Sequence, residues 1–191
     1  PTGTGRYPLI ADAVDRGGMG AMMGGDAVSS GPVTLATMVT AGAPVTAPPL
    51  PTALPAEAPA AGPVTGRRQI TFQMGMGAGG AGGMAFTIDG RAFDPERDDQ
   101  TITLGSTEEW TINNPGPLAH PFHLHVWPFT VLESSDATPP TGVPQDVVLV
   151  PARGRVRLRI PFTTYSGRSV YHCHILDHED AGMMATVNVR P

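Results

Sequence analysis

From Ile70 onward the chain is a succession of short apolar runs separated by Gly, Pro, Asn or Asp, and it shows no helical periodicity. Residues 155–160 alternate strictly between arginine and an apolar residue, the period of a strand with one solvated face. The runs are ITFQM, AFTI, TITL, EEWTIN, HLHVWPFTVL, DVVLV, RVRLRI, SVYHCHI and MATVNV. Roughly eight or nine strands without a helix predict an all-β fold, a Greek-key sandwich or barrel.

The region before Ile70 has a different composition. Seventeen of the 24 glycines lie at or before Gly83, whereas ten of the eleven aromatic residues lie at Phe72 or later. Residues 36–66 are rich in Ala, Pro and Thr and carry almost no charge, which is typical of an extended linker. We therefore expect three parts: residues 1–35, a Pro/Ala-rich linker over 36–69, and a packed domain over 70–191.

Charge and hydropathy exclude several classes of function. The net charge is −5 and only 15% of the residues are charged, so clustered positive charge for nucleic acid or an anionic membrane is lacking. The sequence contains no run of about 18 apolar residues, the length that a membrane-spanning helix needs. A single cysteine excludes a disulfide framework.

Residues suited to metal binding are confined to two short windows. All six histidines and the one cysteine fall in HPFHLH, residues 120–125, and HCHILDH, residues 172–178. Because side chains alternate along a strand, His172 and His174 are expected on one face and Cys173 on the other. The same alternation places His123 and His125 on a common face, so we expect two metal environments back to back.

On the cysteine side, Cys173, His178 and Met183 have the spacing Cys-x4-His-x4-Met, and His120 can complete the set. Two imidazoles, a thiolate and a weak axial thioether are the ligands of a blue-copper electron-transfer site. Zinc also takes Cys and His, and buried histidines without a metal are a further alternative. The terminal methionine favours copper.

The remaining histidines face away from the cysteine and indicate a second centre. They are His123, His125, His172 and His174. Four imidazoles serving more than one ion leave coordination positions unfilled, so this centre is expected to be incomplete.

These windows resemble those of the C-terminal cupredoxin domain of multicopper oxidases, most closely the bacterial laccases and copper-tolerance oxidases. The resemblance covers roughly Ile70 to Pro191, and one departure from it is Val126-Trp127-Pro128 after the first window, where the family often has glycine. It implies that His120, Cys173, His178 and Met183 hold a type 1 copper. His123 would be a type 2 copper ligand, and His125, His172 and His174 would be type 3 copper ligands.

The resemblance also implies a mechanism and a partner. A small reductant, such as a phenol or a metal ion, would give up electrons at the type 1 copper. These would pass through Cys173 to His172 and His174 and on to a trinuclear cluster that reduces O2 to water. That cluster uses eight histidines in the family, so four must come from an N-terminal cupredoxin domain, on the same precursor chain or another subunit. A periplasmic or secreted location is expected from the family alone.

A weak internal repeat suggests what residues 1–35 are. The segment that starts at Gly5 aligns with the segment that starts at Gly167 at a constant offset of 162. Non-ligand residues occupy the ligand positions of the first copy, namely Ile10, Ala11, Asp12 and Arg16. The N-terminal part thus resembles the last strands of a cupredoxin domain without copper.

Two other functions stay open from the sequence. A stand-alone blue-copper electron-transfer protein would need only the cysteine-side ligands, and the four other histidines count against it. A copper-binding protein without turnover is the other alternative. Phenols, metal ions and bilirubin-like compounds all remain candidate substrates.

Overall fold

The computed structural model describes residues 4–12, 32–43, 46, 48–50, 52, 62–76, 84–139 and 142–191. In this part of the chain there are thirteen strands and one five-residue helix. The chain divides into two compact units, residues 1–55 and residues 56–191.

The first unit contains a two-stranded antiparallel sheet of β1, Gly5–Ala11, and β2, Val33–Thr40. Its apolar side chains are exposed, with Leu9 at 61% and Leu35 at 64%. Two strands alone are marginally stable in water, because they bury little apolar surface.

The second unit holds the other elements. The strands are β3 Val64–Met76, β4 Met84–Ile88, β5 Gln100–Thr103, β6 Ser106–Asn114, β7 His120–Leu124, β8 Phe129–Ser134, β9 Pro144–Gln145, β10 Val147–Val150, β11 Gly154–Phe162, β12 Gly167–Cys173 and β13 Met184–Arg190. The helix α1, Leu176–Asp180, lies between β12 and β13.

Two sheets form the body of this unit. One has the strand order β10-β7-β12-β13-β5 and the other the order β4-β3-β6-β11-β8-β9. The pairs β13–β5 and β3–β6 are parallel, and the other pairs are antiparallel. The chain crosses repeatedly between the sheets, which confirms the predicted all-β sandwich.

The core lies between the two sheets. Trp110 on β6 contacts Tyr171 on β12 edge to face, with ring centroids 5.5 Å apart, and both side chains are fully buried. Phe122 on β7 and Phe162 on β11 belong to the same buried cluster. Since Tyr171 and Cys173 are two residues apart on β12, they share its inner face, so the cysteine side of β12 faces the core.

The predicted strands differ from the observed ones in two places. The run HLHVWPFTVL, predicted as one strand, is split into β7 and β8, because the chain bends at residues 125 and 126 and resumes a strand only at Phe129. The expectation of no helix is wrong at α1, whose five residues are too few to produce a helical period. The alternation over 155–160 is confirmed, with Val156, Leu158 and Ile160 fully buried on β11.

The predicted linker, residues 36–69, overlaps strands at both of its ends. Its first residues belong to β2, which continues to Thr40, and its last residues belong to β3, which begins at Val64. Threonine and valine, which are abundant at both ends, favour strands and so extend them. Much of the segment between, including 53–61, lies outside the described residues.

β1 has the same bounds as β12 at the predicted offset of 162, since Gly5 corresponds to Gly167 and Ala11 to Cys173. Arg16 of the repeat lies outside the described residues. The assignment of residues 1–35 to a domain remnant stays a prediction. Among the described residues, no helix is long and apolar enough to cross a membrane.

Candidate metal centre

Strands β7 and β12 bring the two histidine windows together at the centre of one sheet. They pair antiparallel, with His172 opposite His123 and Cys173 opposite Phe122. The pairing continues past the strand ends, because the His125 N–H donates to the Val170 carbonyl and the His174 N–H to the Pro121 carbonyl. Each window therefore contributes side chains to both faces of the sheet.

On the inner face, three donor atoms converge. The Cys173 Sγ lies 3.5 Å from His120 Nδ1 and 3.7 Å from His178 Nδ1, and the two nitrogens are 3.2 Å apart. All three side chains are buried. These are three of the four residues that the sequence predicts around the cysteine, and we call them the inner ligand group.

The loop from Cys173 to Met183 is closed by backbone hydrogen bonds. The Met183 N–H donates to the His178 carbonyl at 2.9 Å, and the Cys173 N–H donates to the Met183 carbonyl at 3.0 Å. The short helix α1 carries His178 into the buried position. Met183 is fully buried at the end of the loop, beside the cysteine in the backbone pairing.

The sulfur-to-nitrogen separations of the inner ligand group fit a metal ion. A trigonal ion with bonds of about 2.0–2.3 Å places its nitrogen and sulfur donors about 3.5–3.8 Å apart, close to the separations observed here. Burial, aided by the nearby His178, lowers the pKa of His120 from 6.5 to about 4. His120 is thus neutral at pH 7 and keeps a lone pair for a metal.

On the outer face, three more imidazoles converge. His125 Nε2 and His172 Nε2 are 3.1 Å apart. The centroid of the His123 ring lies 4.4 Å from the centroid of the His125 ring and 5.2 Å from that of the His172 ring. The three offer ligand atoms within 4.8 Å of one another, and we call them the outer histidine group.

The fourth predicted residue, His174, lies beside the outer histidine group and is exposed. Its ring is 5.2 Å from that of His123 and 5.5 Å from that of His172.

Hydrogen-bond acceptors fix two of these rings. His123 Nδ1 donates to the Asp146 carbonyl at 2.8 Å. His172 Nδ1 lies 3.0 Å from the Cys173 carbonyl and 3.1 Å from a Glu179 carboxylate oxygen. Since both neighbours of His172 Nδ1 are acceptors, that nitrogen carries the hydrogen and Nε2 is left for a metal. Burial lowers the pKa of His125 and of His172, although the Cys173 carbonyl and Glu179 partly oppose this at His172.

Sequence reasoning misses three residues that contact the ligands. From the sequence, Glu179 belongs with Asp177 and Asp180 to a solvated acidic loop or to a set that orients a reductant. In the structure Asp177 and Asp180 are exposed, whereas Glu179 is partly buried with its carboxylate 3.1 Å from His172 Nδ1. Phe86 and Phe72 pack on His178 and His120. The two phenylalanines could not be found from the sequence, because both lie far along the chain from the candidate ligands and reach them only in the folded chain.

An open cavity of about 450 Å³ adjoins the outer histidine group. His123 and His125 line it together with apolar residues such as Val126 and Pro128, and with Gln145 and Asp146. Two of the converging imidazoles are therefore accessible from one side of the sheet.

Comparison with known proteins identifies relatives of this arrangement. A family model described as multicopper oxidase matches residues 63–191. The multicopper oxidase mco of Staphylococcus haemolyticus is 38% identical over 109 residues, covering 54% of this chain and 24% of that protein. A laccase of Haloferax volcanii is 35% identical over 140 residues, covering 70% of this chain and 24% of that protein.

Among solved structures, a multicopper oxidase of Campylobacter jejuni described as a metallo-oxidase superposes with a TM-score of 0.70 at 25% identity. The match covers 98% of this chain and 41% of that one. For comparison, the chain spans about a quarter of the length of the two curated relatives, the Staphylococcus haemolyticus oxidase and the Haloferax volcanii laccase.

Proposed function

The chain belongs to the multicopper oxidase family, and we propose that it is the C-terminal part of a laccase-like oxidase that oxidises a small reductant and reduces O2. The observation that carries this proposal is the pair of ligand groups on opposite faces of β7 and β12. A single peptide bond joins Cys173 of the inner group to His172 of the outer group.

The inner ligand group is suited to a type 1 copper. His120 and His178 would offer Nδ1, Cys173 its thiolate, and Met183 a weak axial thioether, a donor set typical of blue copper. When bound, copper supplies the one-electron steps and the reduction of O2 to water. The protein holds the thiolate away from water and keeps His120 neutral, so no proton competes for that ligand position.

The outer histidine group is suited to part of a trinuclear cluster. His123 would be the type 2 ligand, and His125, His172 and His174 the type 3 ligands. We propose that electrons pass between the two centres along Cys173 and its neighbours His172 and His174. Glu179 and the Cys173 carbonyl hold the His172 ring with Nε2 towards His125, where it would be available to a copper ion.

The partner that completes this cluster is an N-terminal cupredoxin domain contributing four further histidines, on the same precursor or another subunit. The short span of the match to the curated relatives supports such a partner. We propose that residues 1–35, together with the rest of β2 as far as Thr40, are the end of a cupredoxin domain without copper, because β1 matches β12 in bounds and both strands pair antiparallel with a following strand. A periplasmic or extracellular location is part of the same proposal.

A test of turnover follows from the incomplete cluster. We expect the copper-loaded chain to be bleached by a phenol and to stay bleached in air, because the oxygen-reducing centre lacks half of its ligands. Mixing with a complementary N-terminal cupredoxin domain should restore the colour and consume O2. Continuous O2 consumption by the chain alone would contradict the proposal.

The alternative, a stand-alone blue-copper electron carrier, is distinguished by two matched histidine variants. We expect His120→Ala to abolish the blue band and leave weaker copper binding at the outer group. His123→Ala should keep the blue band and lose the weaker binding, which copper titration with optical and EPR detection would follow. A carrier would show no weaker binding that depends on His123.

A further inference from the structure

The β3–β4 hairpin lies over both imidazoles of the inner ligand group. Phe72 on β3 meets the His120 ring edge to face, with centroids 5.7 Å apart and planes at 70°. Phe86 on β4 stacks on the His178 ring, with centroids 4.4 Å apart and planes at 23°. Each imidazole of the proposed type 1 site thus packs against a phenylalanine outside the ligand windows.

The hairpin register puts these aromatic residues on one face. Phe72 is paired with Ile88 and Met74 with Phe86, so residues 72, 74, 86 and 88 share a side of the hairpin. Phe72 and Ile88 are buried in the core, whereas Phe86 is half-buried. Phe86 therefore lies at the rim, where the core meets solvent above His178.

The loop from Cys173 to Met183 lies close to the backbone of β4. Gly182 has a φ of +107°, and a Cβ there would lie 3.3 Å from the Phe86 carbonyl oxygen. The Phe93 N–H, just after the hairpin, donates to the Gly182 carbonyl at 3.2 Å. The backbone of the loop is therefore in close contact with that of β4 at Gly182, the residue directly before Met183.

These contacts suggest a role beyond filling space. A stacked ring restricts the rotation of the imidazole and excludes water from one of its faces. Removing water from a charged site disfavours the more highly charged state of a bound ion, which raises its reduction potential. Aromatic stacking also adds stabilisation beyond burial of area.

We propose that Phe86 is a positioning residue for the type 1 site: it holds the His178 imidazole in its ligand orientation and closes that face to water. The hairpin thereby sets the reduction potential and the retention of the metal, although it contributes no ligand. This inference rests on the proposed function, because it presumes copper in the inner ligand group.

The test compares Phe86→Leu, which keeps apolar volume but removes the ring, with Phe86→Tyr, which keeps the ring. Gln73→Ala is the matched control, because Gln73 is exposed on the same hairpin and has the opposite orientation. In the metal-free chain, NMR of the His178 ring protons reports the ring current of Phe86. In the copper-loaded chain, the reduction potential and the rate of copper removal by a chelator report the site.

We expect Phe86→Leu to remove the ring-current shift at His178, to lower the reduction potential and to speed copper removal roughly two- to tenfold. Phe86→Tyr and Gln73→Ala should resemble the wild type in all three measurements. Unchanged potential and removal rate in a folded Phe86→Leu would overturn the inference, as would equal changes in Gln73→Ala. Absence of a blue band in the copper-loaded wild type would instead refute the proposed function, while the metal-free NMR still reports the stacking.

Discussion

Cys173 is the residue at which the two ligand groups meet. Its side chain points into the core with His120 and His178, whereas the side chains of its neighbours His172 and His174 point to the outer face. The alternation of a strand makes this arrangement predictable from the sequence alone. The convergence of residues 53 positions apart, His120 and Cys173, depends on the pairing of β7 with β12.

We expect Cys173→Ser to abolish the blue absorption and leave the chain folded. A serine hydroxyl is close to the thiol in size, but it cannot supply the soft thiolate on which a blue-copper site depends. Copper titration followed by optical spectroscopy, with circular dichroism to verify the fold, measures both effects. Persistence of an intense blue band in the serine variant would show that Cys173 is not the ligand.

We expect Met183→Leu to keep the blue absorption and raise the reduction potential. Leucine conserves most of the buried volume, so the fold is retained, while the loss of a weak axial donor disfavours the oxidised ion. Redox titration of the blue band measures the shift. An unchanged potential would identify Met183 as a packing residue rather than an axial ligand.

At the scale of elements, the six-stranded sheet carries an ion-pair network centred on Glu109 of β6. The carboxylate, 7% exposed, accepts hydrogen bonds from Arg159 at 2.7 Å and from Arg157 at 3.1 Å. Arg159 is directly opposite Glu109 in the β11–β6 register. The hydrogen bond from Arg159 lowers the pKa of Glu109, with further help from the charge of Arg157.

We expect Glu109→Gln to lower the free energy of unfolding at pH 7 by about 1–3 kcal/mol, because a charge-assisted interaction is lost. Since the pKa of Glu109 is lower in the folded chain than in the unfolded chain, its contribution is complete above the ordinary value of about 4.3. This contribution is lost as the pH falls through the folded-state pKa. Urea unfolding at a series of pH values should therefore show the two proteins converge in acid.

Glu133→Gln is the control for that measurement, because Glu133 also pairs with Arg157 but is 58% exposed. An exposed ion pair contributes at most about 1 kcal/mol, so this variant should differ little from the wild type. If Glu109→Gln lowered the free energy of unfolding equally at pH 7 and in strong acid, the ionised Glu109 carboxylate would not be the source of the stability.

The strands and the ligand faces could be predicted because each depends on local alternation. The period of 155–160 determines which side of β11 is buried, and the same rule separates Cys173 from His172. The contacts of Phe86 and Glu179 could not be predicted, because they depend on how the β3–β4 hairpin and α1 pack against the ligand loop. The division of HLHVWPFTVL into β7 and β8 likewise depends on the bend at residues 125 and 126, which no turn residue at those positions indicates.

At the scale of the whole molecule, the candidate ligands form two groups, which we propose to be one metal site and part of another. The inner ligand group is buried, while His123 and His125 of the outer group line an open cavity. The full-length relatives are about four times longer than the matched segment, which leaves ample chain for a domain that closes the outer group. The oxidase activity that we propose is therefore a property of the assembled protein.

The most direct measurement is the copper content of the loaded and desalted chain, combined with its optical and EPR spectra. We predict one tightly bound copper per chain, an intense blue absorption and the EPR signal of a single type 1 ion. Absence of blue absorption in an oxidised, copper-loaded sample would contradict the inner site. Three or four tightly bound coppers per chain would contradict the claim that the outer centre is incomplete without its partner.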